Sequence, residues 1–342
     1  MADAGPRPPA SGEALSDQEL EEAFGADLGA GPKDAPRAAT SAEEAGPNSP
    51  ASEARAQEGV PSWSEFAHGW ELGIYRDPVL CGVFAGVVLG VLGVFVVLRR
   101  AVFVTAAISQ AAGLGVALAF LVGLWFHASV PPVLGALAVA LAATALLTLR
   151  TQRMRLPSET LVGLVYLGSS AAAILVGDRI QQESQDIASI LFGTAVLVRR
   201  SDLWLVGIAG ATTLLALALG YRGFLFAGFD PEGARVHRLP VRLLDLMLWV
   251  LVAIEVSVAT RAIGALPVFA FAVAPAMAAL SLSERVRTAL ALAAGLGGLS
   301  GGLGYLFAFF FEFPVGASQA ALSLVFLLVC LPVARLVRGN AS

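Results

Sequence analysis

From residue 79 to residue 336, apolar runs of roughly twenty residues alternate with short breaks rich in Arg, Pro or Gly. A helix needs about 20 apolar residues to cross a bilayer, whereas strands of a membrane barrel would show alternating polarity. The pattern therefore predicts an all-α, polytopic bundle of about nine membrane helices. The predicted spans are residues 79–98, 105–126, 130–149, 158–177, 201–220, 242–260, 264–282, 287–308 and 316–336.

The first 78 residues follow a different pattern. Residues 1–62 consist largely of Ala, Gly, Pro, Ser and Glu, a composition that predicts a disordered acidic tail. Residues 63–78 form a predicted interfacial segment, whose Trp and Tyr side chains suit either a short amphipathic helix at the membrane surface or an ordered linker. A transmembrane domain is then expected over residues 79–338.

Composition and charge exclude a soluble enzyme and suggest an orientation. Only 14% of residues are charged and 57% are apolar, whereas soluble domains average about 25% charged residues. With nine spans, the breaks on one side carry thirteen arginines and those on the other side carry four. The positive-inside rule therefore predicts a cytoplasmic C-terminus and an external tail, although an additional helical hairpin would reverse this placement.

The longest break on the arginine-rich side, residues 222–241, contains a helix-start signal. Asp230 is a suitable N-cap, Pro231 occupies the favoured first position of a helix, and Glu232 complements the helix dipole. These residues predict a short surface helix between two spans, which suits either the docking of a soluble partner or a solvated connector.

Nucleotide binding by this chain is not expected. Lys33 is the only lysine, so the sequence contains no phosphate-binding GxxxxGK[ST] loop. The glycine-rich run at residues 295–304 has small residues four apart, which favours close packing of two membrane helices.

Six short sequence segments occur along the chain in the same order as in one protein family. They are GVFVVLRR followed by FVTAAISQAAGLG (residues 93–115), SETLVGLVY (158–166), DIASILFG (186–193), FDPEGAR (229–235), AIGALPVFAFAVAPAMAA (262–279) and FPVGAS (313–318). Together these segments resemble the membrane subunits of ABC importers for zinc, manganese and iron, the ABC-3 family. The resemblance runs from about residue 79 to residue 337.

The resemblance implies a permease subunit of the inner membrane that imports a divalent metal such as zinc or manganese and is not itself an enzyme. It implies three protein partners: an ATPase subunit, an external metal-binding protein and a second permease subunit. Asp230, Glu232 and Ala234 would lie on the coupling helix that docks the ATPase. Membrane lipid surrounds such a chain, and neither a bound cofactor nor a nucleic-acid partner is expected.

One motif departs from the family. The second span of the family usually reads G-D-x-[IL]-S-H-A, whose Asp and His could hold a metal in transit. The aligned residues here are Ala106 at the Asp position, Ser109 at the serine and Gln110 at the His position. The metal ligands of this chain are therefore unknown from its sequence.

Three explanations are open: a weaker half of a heterodimer, a different substrate such as a metal chelate, or metal handling by other residues. Ser109, Gln110 and Glu255 are the candidate pathway residues. Glu255 lies among apolar residues in the sixth span, where a carboxyl group is costly and marks either a pathway or a buried ion pair. The candidate ion-pair partner is Arg261. A non-transporting, regulatory subunit is the competing function.

Overall fold

The structure is a computed structural model that describes residues 63–126, 130–150, 157–180 and 198–339. The predicted tail, residues 1–62, and the family-like segment at residues 186–193 lie outside the described residues. In the described ranges, regular structure consists of helices, which confirms the predicted all-α class. We number them α1 Trp63–Glu71, α2 Arg76–Leu98, α3 Val102–Phe126, α4 Pro132–Arg150, α5 Ser158–Asp178, α6 Arg200–Phe229, α7 Pro231–Val236, α8 Val241–Ile263, α9 Ala265–Leu282, α10 Val286–Phe311 and α11 Val315–Gly339.

The nine predicted spans correspond to nine of these helices. Eight are long and apolar enough to cross a membrane, and α4 has a shorter apolar stretch, Pro132–Thr148. Two helices extend beyond the spans predicted from the sequence. The first span begins at Arg76, so the end of the predicted interfacial segment belongs to α2. The break expected to start at residue 222 begins only after Phe229, because α6 continues to that residue.

Helix α2 lies at the centre of the described bundle. It packs against α6, α8, α9 and α10. Leu89, Leu92 and Phe95 of α2 are buried in a core that they share with residues of α3, α8 and α9. The sequence agrees with this position, since α2 is apolar all round, as expected of a helix covered on most sides.

Glycine lets α2 approach α10 closely. A Cβ atom on Gly86 would collide with the carbonyl oxygen of Gly297, and one on Gly297 would collide with the carbonyl oxygen of Gly86. Further along the two helices, a Cβ atom on Gly301 would collide with the carbonyl oxygen of Gly82, and one on Gly82 would collide with the side-chain amide of Gln319. The predicted role of the glycine-rich run in helix packing is therefore confirmed.

The segment before α2 contains an aromatic cluster. Phe66 of α1 stacks on Tyr75 with ring centroids 5.7 Å apart, and both rings contact Phe309 near the end of α10. Trp63 contacts Phe310 in the same region. These contacts hold the short helix α1 against the bundle.

We expect Gly86→Ala to lower the stability of the purified protein by about 1–3 kcal/mol, because the added methyl group forces α2 away from α10. Gly295→Ala is the matched control, since a Cβ atom there meets nothing within 4 Å. Thermal unfolding in detergent compares the two variants. Equal melting temperatures would contradict the close approach of the two helices.

Candidate functional site

Glu255 lies in the interior of the bundle where α2, α6 and α8 meet. Its side chain is fully buried, and neither carboxyl oxygen has a hydrogen-bond partner in the described part of the chain. One of these oxygens, Oε1, is 3.8 Å from the position that a Cβ atom on Gly210 of α6 would occupy. Val88 of α2 touches the same position. The missing side chain at Gly210 therefore makes room for Val88 of α2, whose Cγ2 atom would be 2.7 Å from such a Cβ atom, while the Glu255 carboxyl group lies at ordinary contact distance.

Arg261 does not pair with Glu255, so the ion pair considered from the sequence is wrong. Its guanidinium group instead binds the Asp202 carboxylate, which joins the end of α8 to the start of α6. Both side chains of this pair are mostly buried. Six residues separate Glu255 from Arg261 along α8, which places the two side chains on different faces of the helix.

A second ion pair lies at the opposite end of α8. Arg99, the C-cap residue of α2, donates from Nη2 to Oδ1 of Asp245 over 3.1 Å. Arg261 of α8 and Arg99 at the end of α2 are thus both bound to carboxylates other than Glu255. Glu255 has no counter-charge among the described residues.

Thr213 adds a second buried polar group that sequence reasoning missed. It is fully buried, and its hydroxyl oxygen has no partner in the described ranges. Thr213 is three residues after Gly210, on the stripe of α6 that faces the bundle. The signal was the spacing of three and four residues between Asp202, Val206, Gly210 and Thr213, which marks a single inward face.

Such groups are expensive in a membrane. A buried hydroxyl or carboxyl group without a hydrogen bond costs several kcal/mol in hydrocarbon, and an ionised carboxylate costs more. Buried charges are normally paired or coordinated to a metal. The arrangement therefore suits a place where a cation passes, or where the helices rearrange so that the carboxyl group gains a partner.

The predicted residues of the second span lie on α3. Ser109 is buried, and its hydroxyl group donates to the carbonyl oxygen of Ala106 over 2.9 Å. Gln110 is partly exposed. Although α3 packs against α8, no hydrogen bond of the described residues joins Ser109 or Gln110 to Glu255. In the same residues, no three His, Cys, Asp or Glu side chains are grouped so that they could hold a metal ion.

The predicted surface helix is present as α7, between α6 and α8. The Asp230 carboxylate accepts a hydrogen bond of 2.8 Å from the Gly233 N–H, and Pro231 is the first helical residue. Ala234 is fully buried against Ala227 and Val241, which anchors α7 to the ends of its two neighbours.

The opposite side of α7 is exposed. Glu232 and Arg235 face outward, and Phe229 and Val236 expose 59% and 81% of their surface. A charged surface with exposed apolar side chains beside it is typical of a protein contact.

The comparisons with known proteins agree with one another. The model of the ABC 3 transport family matches residues 73–334. The manganese import system permease protein ScaB of Streptococcus pneumoniae is 29% identical over 265 residues, which cover 78% of this chain and 92% of that protein. The manganese transport system membrane protein MntC of Listeria innocua is 28% identical over 255 residues, which cover 75% of this chain and 89% of that protein.

A solved structure shows the same fold. PsaBC from Streptococcus pneumoniae in complex with Fab superposes with a TM-score of 0.70 at 24% sequence identity. The match covers 79% of this chain and 95% of the other chain.

We expect Glu255→Met to raise the stability of the purified protein by about 1–3 kcal/mol, because an apolar side chain of similar length replaces an unpartnered buried carboxyl group. Asp202→Asn is the contrasting variant and should lower stability, because it leaves Arg261 without its ion-pair partner. Chemical and thermal unfolding in the same detergent measure both changes. A destabilised Glu255→Met protein would show that the carboxyl group has a structural partner.

Proposed function

The chain belongs to the ABC 3 transport family, and from this membership we propose that it is the permease subunit of an importer for a divalent metal ion. The family match, which spans most of the multi-pass membrane bundle, is the observation that carries the proposal. The proposed location is the inner membrane. The C-terminus and α7 lie on the same side as the arginine-rich breaks, and the positive-inside rule places that side in the cytoplasm.

We propose manganese as the first candidate substrate and zinc as the second. Two relatives are named as membrane proteins of manganese import or transport systems. Ser109, Gln110 and Glu255 would supply hydroxyl, amide and carboxylate oxygens, and oxygen ligands suit manganese better than zinc, which favours nitrogen and sulfur. With Ala106 and Gln110 at the family's Asp and His positions, this motif offers no nitrogen ligand comparable to histidine.

Glu255 would be the principal pathway group. A cation that leaves water needs oxygen atoms to replace its hydration shell, and a carboxylate also compensates its charge. Because the carboxyl group is enclosed by α2, α6 and α8, the metal would reach it only after these helices separate. We therefore propose that Glu255 binds the metal in a second arrangement of the bundle, with Ser109 and Gln110 contributing along α3.

The energy for that rearrangement would come from a separate ATPase subunit that docks on α7. Asp230 fixes the start of α7 and Ala234 anchors the helix to the bundle, while the exposed Glu232 would face the partner. An external metal-binding protein and a second permease subunit complete the proposed assembly. The chain itself is proposed to hold no cofactor and to catalyse no hydrolysis.

Uptake of radioactive manganese tests the proposal in cells that carry this chain, its ATPase and its metal-binding protein. We expect Glu255→Gln to lower the initial uptake rate about tenfold or more, because the amide lacks the compensating charge. Glu255→Asp should retain part of the activity. Glu284→Gln is the matched control, because Glu284 is an exposed carboxylate between two helices.

The double change Ala106→Asp and Gln110→His sharpens this test. It places a carboxylate and an imidazole four residues apart on one helix face, where both can reach one metal ion. Uptake should then depend less on Glu255. Natural uptake that is indifferent to both Gln110→Ala and Glu255→Gln would overturn the proposed pathway, and no uptake at all would favour the non-transporting alternative.

Glu232→Arg tests the docking surface. A positive charge near the start of α7 opposes the helix dipole and alters the surface charge, so docking should weaken by about 1 kcal/mol or more. Co-purification of the ATPase and its stimulated hydrolysis measure the effect. Glu284→Arg is the control of equal charge on the same proposed side, and equal binding by both variants would contradict the assignment of α7.

A further inference from the structure

Arg99 joins three helices at the end of the bundle that carries α7. From the C-cap of α2, its guanidinium group donates to Asp245 Oδ1 through Nε at 3.2 Å and Nη2 at 3.1 Å. Nη2 also lies 3.4 Å from the carbonyl oxygen of Phe224 on α6. The side chain is only 10% exposed. One arginine therefore contacts α6 and α8 at once.

These contacts lie close to both ends of α7. Phe224 is about one and a half turns before the end of α6 at Phe229, and Asp245 is about one turn after the start of α8 at Val241. The third nitrogen, Nη1, is buried without a described partner, and it lies 3.4 Å from where a Cβ atom on Gly228 would be. Any displacement of α7 must act on the helix ends that Arg99 holds.

The same helix that ends at Arg99 also reaches the buried carboxyl group. Val88 of α2 lies beside Gly210 and Glu255, about three turns from Arg99. Helix α2 packs as well against α9 and α10. A force that reaches α2 at its Arg99 end is thus delivered to the surroundings of Glu255 through a rigid, closely packed helix.

We propose that Arg99 is a positioning residue that couples the movement of α7 to α2 and hence to the opening of the bundle around Glu255. The proposal rests on the function proposed above. The anchor of α7 itself, formed by Ala234, Ala227 and Val241, does not include Arg99. Loss of Arg99 should consequently leave docking of the ATPase intact and uncouple docking from transport.

The ion pair can be removed without leaving an isolated buried charge. In Arg99→Met, the Asp245 side chain that remains is 38% exposed, so solvent can compensate its charge. In the double variant Arg99→Met with Asp245→Met, apolar side chains replace both partners, a change that is often neutral for stability. Arg242→Met is the matched control, since Arg242 is an exposed arginine near Asp245 on the same helix.

The experiment uses the complex of this chain with its ATPase and metal-binding protein in lipid nanodiscs and vesicles. Three quantities are measured at equal amounts of complex: bound ATPase, ATP hydrolysis, and manganese transported per ATP. We expect both Arg99 variants to retain the bound ATPase. The amount of manganese transported per ATP should fall at least about fivefold. The Arg242→Met complex should match the natural one.

Hydrogen exchange gives a readout that does not depend on the substrate. In the natural complex, nucleotide should change the exchange of both α7 and α2. In the Arg99 variants, it should change the exchange of α7 alone. Two results would overturn the proposal. One is a double variant that transports as much manganese per ATP as the natural complex, and the other is a nucleotide-dependent change in α2 exchange that persists in the Arg99 variants. Absence of manganese transport by the natural complex would instead overturn the proposed function, while the exchange data would still test Arg99.

Discussion

Charge pairing along α8 is the constraint on which the centre of the described bundle depends. Water is absent from the hydrocarbon region, so each charged side chain there requires a counter-charge or a ligand. The mostly buried guanidinium groups of Arg99 on α2 and Arg261 on α8 meet this requirement through Asp245 and Asp202. These two pairs fix the ends of α8 to two different helices. Glu255 lies between them without a partner, and this imbalance distinguishes it from an ordinary structural carboxylate.

Close helix packing explains why the arrangement can act as one unit. Carbonyl contacts between Gly86 and Gly297 bring α2 against α10, while Gly210 lets Val88 of α2 fit against α6. Small residues at such contacts bring the helix backbones close together, and we expect so closely packed a bundle to rearrange between discrete packings. A short helix that is anchored to both α6 and α8 is well placed to drive that change.

Much of the fold follows from the sequence, because hydrophobic length specifies the spans and because Asp230 and Pro231 are strong signals for the start of α7. Helix α6 extends beyond the span predicted from the sequence. Arg222 and the neighbouring glycines resemble a break, but Phe224 is buried and its ring contacts Phe95 of α2 with centroids 6.3 Å apart. Tertiary packing therefore extends the helix beyond the point where local composition suggests that it ends.

The candidate site was predictable only in part. Glu255 stands out in the sequence, because a lone acid in an apolar span is unusual. Its lack of a partner was not predictable, since the true partner of Arg261 is 59 residues distant in the chain and the partner of Asp245 is 146 residues distant. Thr213 gave a weak signal, because threonine is common in membrane helices and only its spacing from Gly210 places it on the inward face.

The most direct test of the central claim is whether manganese contacts Glu255 during turnover. A hydrophobic carbodiimide modifies carboxyl groups inside membrane proteins, and mass spectrometry of the peptide that contains Glu255 quantifies the reaction. We predict labelling of Glu255 in the complex during ATP hydrolysis and strong protection by manganese, with magnesium as the control that does not protect. Labelling that is the same with and without manganese would contradict the account.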